Sequence, residues 1–152
     1  MLNKDFREFV ELLNAGGVEY LVVGGYALAA HGHPRYTGDI DFWIGTSDEN
    51  IERLLKALVA FGFGGLGLRK EDFRSPDAVV QLGYPPARID LLTGIDGVSF
   101  EDCYPRRVMV DAGGAQLPII HVDDFKANKR ATGRMKDLAD LEALDEPPED
   151  AH

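Results

Sequence analysis

Asp39 and Asp41, in the run Asp39-Ile40-Asp41-Phe42-Trp43-Ile44, are the side chains of this sequence whose types and spacing best suit chemistry. Side chains on a strand alternate faces, so the two carboxylates point one way while Ile40, Phe42 and Ile44 point into a core. Two like charges held side by side repel, and folding gains little from them without a cation between. One reading is a solvated strand end. The sharper reading is a magnesium site, since hard cations prefer carboxylate and phosphate oxygens.

The segment upstream favours the metal. Tyr20-Leu21-Val22-Val23 is a short apolar run with the composition of a buried strand. Gly24-Gly25 follows at once, and Tyr26 to Gly32 reads as one to two helical turns closed by a glycine. Strand, glycine pair and helix start would present backbone N–H groups that phosphate oxygens can approach without meeting a Cβ. A glycine pair alone marks only a turn. Followed by Asp-x-Asp it pairs a polyphosphate cradle with the metal that neutralises its load.

Val23-Gly24-Gly25, thirteen further residues, then Asp39-Ile40-Asp41-Phe42 resembles the signature of the polymerase-beta-like nucleotidyltransferase superfamily. The stretch from Gly24 to Ile44 is similar to small stand-alone bacterial members, most of all to AbiEii-like nucleotidyltransferases of toxin–antitoxin pairs. Asp124-Phe125-Lys126 through Gly133-Arg134-Met135-Lys136-Asp137-Leu138-Ala139-Asp140-Leu141 resembles the closing helices of that group. The resemblance implies an α/β nucleotidyltransferase fold, a mixed sheet of about five strands flanked by helices. It also implies a third acid on a neighbouring strand. Asp90 in Ala87-Arg88-Ile89-Asp90-Leu91-Leu92 is the candidate, because a lone carboxylate inside an apolar strand is costly unless it has a task. An edge-strand aspartate facing water is the plain alternative. The related toxins carry an important lysine and aspartate near the C-terminus; Lys126 and Asp137 are the nearest matches, with Lys129 and Asp140 next.

The chemistry implied is transfer of a nucleoside monophosphate from an NTP to a hydroxyl, with pyrophosphate released. Asp39 and Asp41 would hold the Mg2+ that carries the triphosphate, and Asp90 would complete a second site and accept the hydroxyl proton. The acceptor classes are a tRNA 3′ end, a protein side chain or a small molecule. A cognate toxin or antitoxin is the expected partner. The chain is short beside many members of the toxin group, so a partner or dimer is expected to supply the acceptor-presenting surface. A noncatalytic nucleotide- or partner-binding protein on the same fold is the alternative function.

Other residues carry weaker signals. Arg35 could reach a phosphate or remain a surface arginine, and Thr37 could orient Asp39 or end its loop. His31 and His33 lack nearby cysteines or histidines to complete a zinc set. Trp43 shares the acids' face, where it stacks on a base or, the better reading, packs against a helix. Lys126, Lys129, Arg130, Arg134 and Lys136 place five of sixteen basic residues within eleven positions of a chain with net charge −10. They form either a solvated helical face balanced by Asp137 and Asp140, or a surface where Lys126 or Lys129 contacts triphosphate or acceptor.

The positioning elements read as one domain over 1–146 with a flexible tail at 147–152. Phe6, Phe9, Val10 and Leu13 repeat at helical spacing after a capping Asn3, and Gly16-Gly17 ends that helix. Thr46 with Glu49 resembles a capping box for a helix carrying Ile51, Leu54, Leu55 and Leu58. The glycine-rich stretch Phe61 to Gly67 lacks a Gly-Lys-Ser/Thr ending and reads as a flexible connection. Val79–Leu82 is expected to pair with the Asp90 strand, and 108–110 with 117–120 as a hairpin. Two short helices follow, broken at Gly133. No apolar run approaches the roughly 20 residues of a membrane span. The N-terminus reads as an amphipathic helix instead of a signal peptide, and one cysteine, Cys103, forbids an internal disulfide. A cytoplasmic setting is therefore expected. The acidic balance argues against nonspecific grip on nucleic acid.

Overall fold

A computed structural model describes residues 2–33, 38–83 and 87–145 of the chain. Arg35, Thr37 and the 147–152 tail lie outside the described residues. The elements run α1 (Lys4–Ala15), β1 (Tyr20–Val23), α2 (Gly24–Ala30), β2 (Ile40–Ile44), α3 (Asp48–Leu58), β3 (Val79–Leu82) and β4 (Ile89–Leu92). They continue with α4 (Phe100–Cys103), β5 (Val108–Ala112), β6 (Ala115–Ile119), α5 (Val122–Thr132) and α6 (Met135–Asp145).

Six strands among the described residues form one mixed sheet in the order β3-β4-β2-β1-β6-β5. β2 runs antiparallel to β1 and parallel to β4, and β6 runs parallel to β1. The expected pairings hold: β3 is antiparallel to β4, and β5 with β6 forms the hairpin. Alternation along β2 explains the two layers. Phe42 meets Phe9 of α1 edge-on at 5.4 Å on one face. Trp43, its neighbour, meets Phe100 of α4 at 5.4 Å, as alternation requires for the other face. Both rings are almost fully buried, so truncating either to alanine is expected to cost about 3–5 kcal/mol.

Local signals set most helix ends. Asn3 Oδ1 accepts the Phe6 amide at 2.8 Å and starts α1, while Gly17 leaves the helix at φ 69°. The cap of α3 is Ser47 instead of Thr46: Ser47 Oγ accepts the Asn50 amide at 3.2 Å. Both hydroxyls are competent caps, and register decides between them. The glycine-rich stretch is also more regular than expected, forming short π and 3₁₀ turns over Val59–Phe63 and Gly64–Leu66. Gly62 at φ 104° and Gly67 at φ 68° supply the left-handed backbone that breaks and ends these turns. Gly133, also left-handed at φ 69°, separates α5 from α6. No helix among the described residues is long and apolar enough to cross a membrane.

Candidate functional site

The parallel register of β2 and β4 sets Asp41 directly beside Asp90. Strand neighbours lie roughly 4.8 Å apart, so same-face side chains at paired positions must meet. The two side chains are close enough that hydrogen bonding to Asp90 is one of the causes that raise the Asp41 carboxyl. Burial, that bond, and the nearby charges of Asp90 and Asp39 push the Asp41 carboxyl up to about 7. On the other side, β1 ends at Val23 opposite Asp41, which delivers Gly24 against the same carboxylate. A Cβ on Gly24 would stand 2.2 Å from Asp41 Oδ2, and the residue sits at φ 69°. Glycine here is a steric requirement of the carboxylate's position. Gly25 occupies the first turn of α2, a helix of only seven residues.

A cation already stands in this group. Arg88 precedes β4, and its carbonyl accepts the Ile40 amide at 3.0 Å, which continues the β2–β4 ladder. Arg88 Nε and Nη2 donate to Asp90 Oδ1 and Oδ2 at 2.8 and 3.2 Å. Nη2 also reaches Asp39 Oδ2 at 3.0 Å. These bonds, that to Asp90 first, hold the guanidinium more firmly protonated than usual.

The facing wall comes from the C-terminal helices. A cleft of about 320 Å³ is lined by Gly24 and Asp41 on the sheet side and by Asn128, Lys129, Thr132 and Arg134 on the helical side. Lys129 Nζ donates to Asp137 Oδ1 at 3.1 Å and lies 3.4 Å from Asp140 Oδ2. Arg134 Nε donates to Asp137 Oδ2 at 2.7 Å. Asp137 is fully buried, yet the Arg134 bond, aided by Lys129, draws its carboxyl down to about 2. Lys129 is nine-tenths buried, whereas the Arg134 side chain stays 67% exposed. Arg134 is thus the cation of this wall that solvent and ligand can reach.

The predicted site residues fall unevenly around this cleft. Gly24 and Asp41 line its sheet side, while Asp90, beside Asp41, and Asp39, joined to Asp90 by Arg88, lie outside the lining. Lys129 lies across from them, already engaged by Asp137 and Asp140, and Lys126 is half-buried on α5 outside the lining. Trp43 packs on Phe100 instead of facing the cleft. His31 is held by the Ile120 carbonyl at 2.8 Å, a structural contact at the end of α2. Sequence reasoning missed Arg88, although Arg-x-Asp alternation puts it on the face of Asp90. It also left Arg134 undistinguished within the basic segment.

Among the described residues, no group of three or more His, Cys, Asp or Glu side chains is closed around a metal position. The guanidinium of Arg88, bonded to both Asp39 and Asp90, stands in as the cation those oxygens select. The donor set is entirely carboxylate oxygen, which suits magnesium and not zinc. Carboxylate oxygens are the donor type that a hard divalent ion takes.

The family described as nucleotidyl transferase AbiEii toxin, type IV toxin–antitoxin system, matches residues 13–152. Among solved structures, a candidate nucleotidyltransferase from Thermotoga maritima is similar at TM-score 0.57 and 16% identity. The match covers 92% of this chain and 88% of that one. An antigenic nucleotidyltransferase-like protein from Paracoccidioides brasiliensis is similar at TM-score 0.55 and 15% identity, covering 94% and 77%. At such identities these likenesses establish the fold alone. No curated protein matches the chain.

Proposed function

Because the chain belongs to the AbiEii nucleotidyltransferase toxin family, we propose that it transfers a nucleoside monophosphate from an NTP to a hydroxyl with the help of Mg2+. The observation that carries this reading is the in-register Asp41–Asp90 pair, backed by Gly24 and faced by Arg134 across one cleft. Asp39, Asp41 and Asp90 would hold the metal. When bound, it supplies positive charge to the triphosphate and to the crowded carboxylates.

The chain's own residues perform the rest. Gly24 leaves the approach to Asp41 open where any Cβ would block it, and Gly25 keeps the following turn bare. Arg134 offers positive charge to the triphosphate and to departing pyrophosphate; Lys129, held by Asp137 and Asp140, adds to that field from behind it, and Lys126 and Arg35 are further candidates. Asp137 orients Arg134, so the guanidinium need not be ordered anew when substrate arrives. Asp90 accepts the proton of the acceptor hydroxyl as its oxygen bonds to the α-phosphorus. The bond from that phosphorus to the bridging oxygen breaks, and pyrophosphate leaves. On this reading the acceptor is a tRNA 3′ end or a protein side chain; the toxin–antitoxin family supports an antitoxin as partner. Residues 1–146 would form the catalytic domain.

Calorimetric titration of ATP, GTP, CTP and UTP with Mg2+ tests the reading. Wild type is expected to bind at least one, and Asp39→Ala/Asp41→Ala to bind none. Equal binding by both proteins, or none by wild type, would reject it.

A further inference from the structure

The proposed nucleotide site contains a cation of its own making. The backbone bond from Ile40 to Arg88 fixes that residue beside Asp39 at the sheet's open end. Its side chain is 27% exposed while that of Asp90 beneath it is 10% exposed, so the guanidinium lies over the acid. A divalent ion needs the same carboxylate oxygens that Arg88 holds. Guanidinium and metal compete for them, because two cations on the same oxygens repel. A planar guanidinium, however, recognises phosphate with the same fork it offers to carboxylate.

We propose that Arg88 couples metal binding to nucleotide binding. It neutralises Asp39 and Asp90 in the metal-free protein, cedes their oxygens to a divalent ion that arrives with a triphosphate, and turns its freed guanidinium to the phosphates. This rests on the nucleotidyltransferase reading above and adds a specific behaviour to it. The ion alone must displace Arg88 with nothing to receive it, so metal without nucleotide binds weakly. The ion with triphosphate gives Arg88 a new partner, so the pair binds well. Because coupling is reciprocal, the metal must improve nucleotide affinity by the same factor.

Mn2+ titrations of wild type, Arg88→Ala and Arg88→Gln decide the matter, each run alone and with an equimolar mixture of the four α,β-methylene nucleoside triphosphates. Removing the guanidinium is expected to tighten binding of Mn2+ alone about tenfold, equivalent to about 1.4 kcal/mol. It should also lower the metal-free melting temperature and shrink the improvement that the triphosphates bring. Damage to the fold would weaken Mn2+ binding, the opposite sign, and Arg88→Gln serves if the alanine variant does not fold. Unchanged or weaker Mn2+ binding in the folded variants, with wild type still binding Mn2+ and triphosphate together, overturns the role of Arg88 and leaves the site standing. Failure of wild type to bind Mn2+ with any triphosphate overturns both.

Discussion

At the β2–β4 side of the cleft, Asp41 lies beside Asp90, and Arg88 joins Asp90 to Asp39; on the α5–α6 wall, Asp137 and Asp140 are met by Lys129 and Arg134. Both groups place carboxylates out of water, yet they respond oppositely. Burial and like charge drive the Asp41 carboxyl up to about 7, whereas hydrogen bonds from cations draw the Asp137 carboxyl down to about 2. The difference lies in partnering. Asp137 has two cationic donors, and its energy is settled by the fold itself. Asp41 has a second acid for a neighbour, and Arg88 offsets the repulsion only in part. One wall is structural and presents Arg134; the other holds more acid than Arg88 offsets.

The largest effect should come from the balanced wall. Asp137→Ala leaves Lys129 buried without its main partner, which is expected to cost about 3–5 kcal/mol in chemical denaturation. A loss below about 1 kcal/mol would show that the two walls are equivalent after all. Gly24→Ala comes next. A methyl group there meets Asp41 Oδ2 and strains a left-handed backbone, so a loss of about 2 kcal/mol together with lost nucleotide binding is expected.

The smallest effect is also the most diagnostic. A carboxyl whose folded pKa lies above its unfolded value of about 3.9 makes the native state hold more protons between the two. Asp41 therefore stabilises the metal-free protein at low pH, and that contribution fades as pH rises toward 7. Between pH 5 and 6.5 the metal-free melting temperature should fall by about 4–7 °C, for roughly 1.8 kcal/mol. Magnesium with nucleotide should abolish the slope. Asp137 acts with the opposite sign: its stabilisation is present above about pH 4 and is lost as pH falls toward 2.

Much of the sheet wall was legible because it rests on neighbours in sequence. Strand alternation aimed Asp39 and Asp41, and an acid inside an apolar strand marked Asp90. Arg88 was not legible in its role, since its contact with Asp39 depends on the β2–β4 register, which no short pattern encodes. The helical wall was legible only as a basic segment. Which lysine meets which aspartate depends on how α6 folds back at Gly133, and Lys129 meets both Asp137 and Asp140. Ser47 and Thr46 are chemically equivalent caps, so the choice between them belongs to packing.

The most direct measurement is the melting temperature of wild type and Asp41→Asn at pH 7.5, each with and without Mg2+ plus the four α,β-methylene nucleoside triphosphates. Asp41→Asn is expected to melt higher than wild type without ligand, because a repelled charge is gone, and to gain nothing when ligand is added. Wild type should gain several degrees. A variant that melts lower than wild type in the absence of ligand, or gains as much as wild type in its presence, would contradict that expectation.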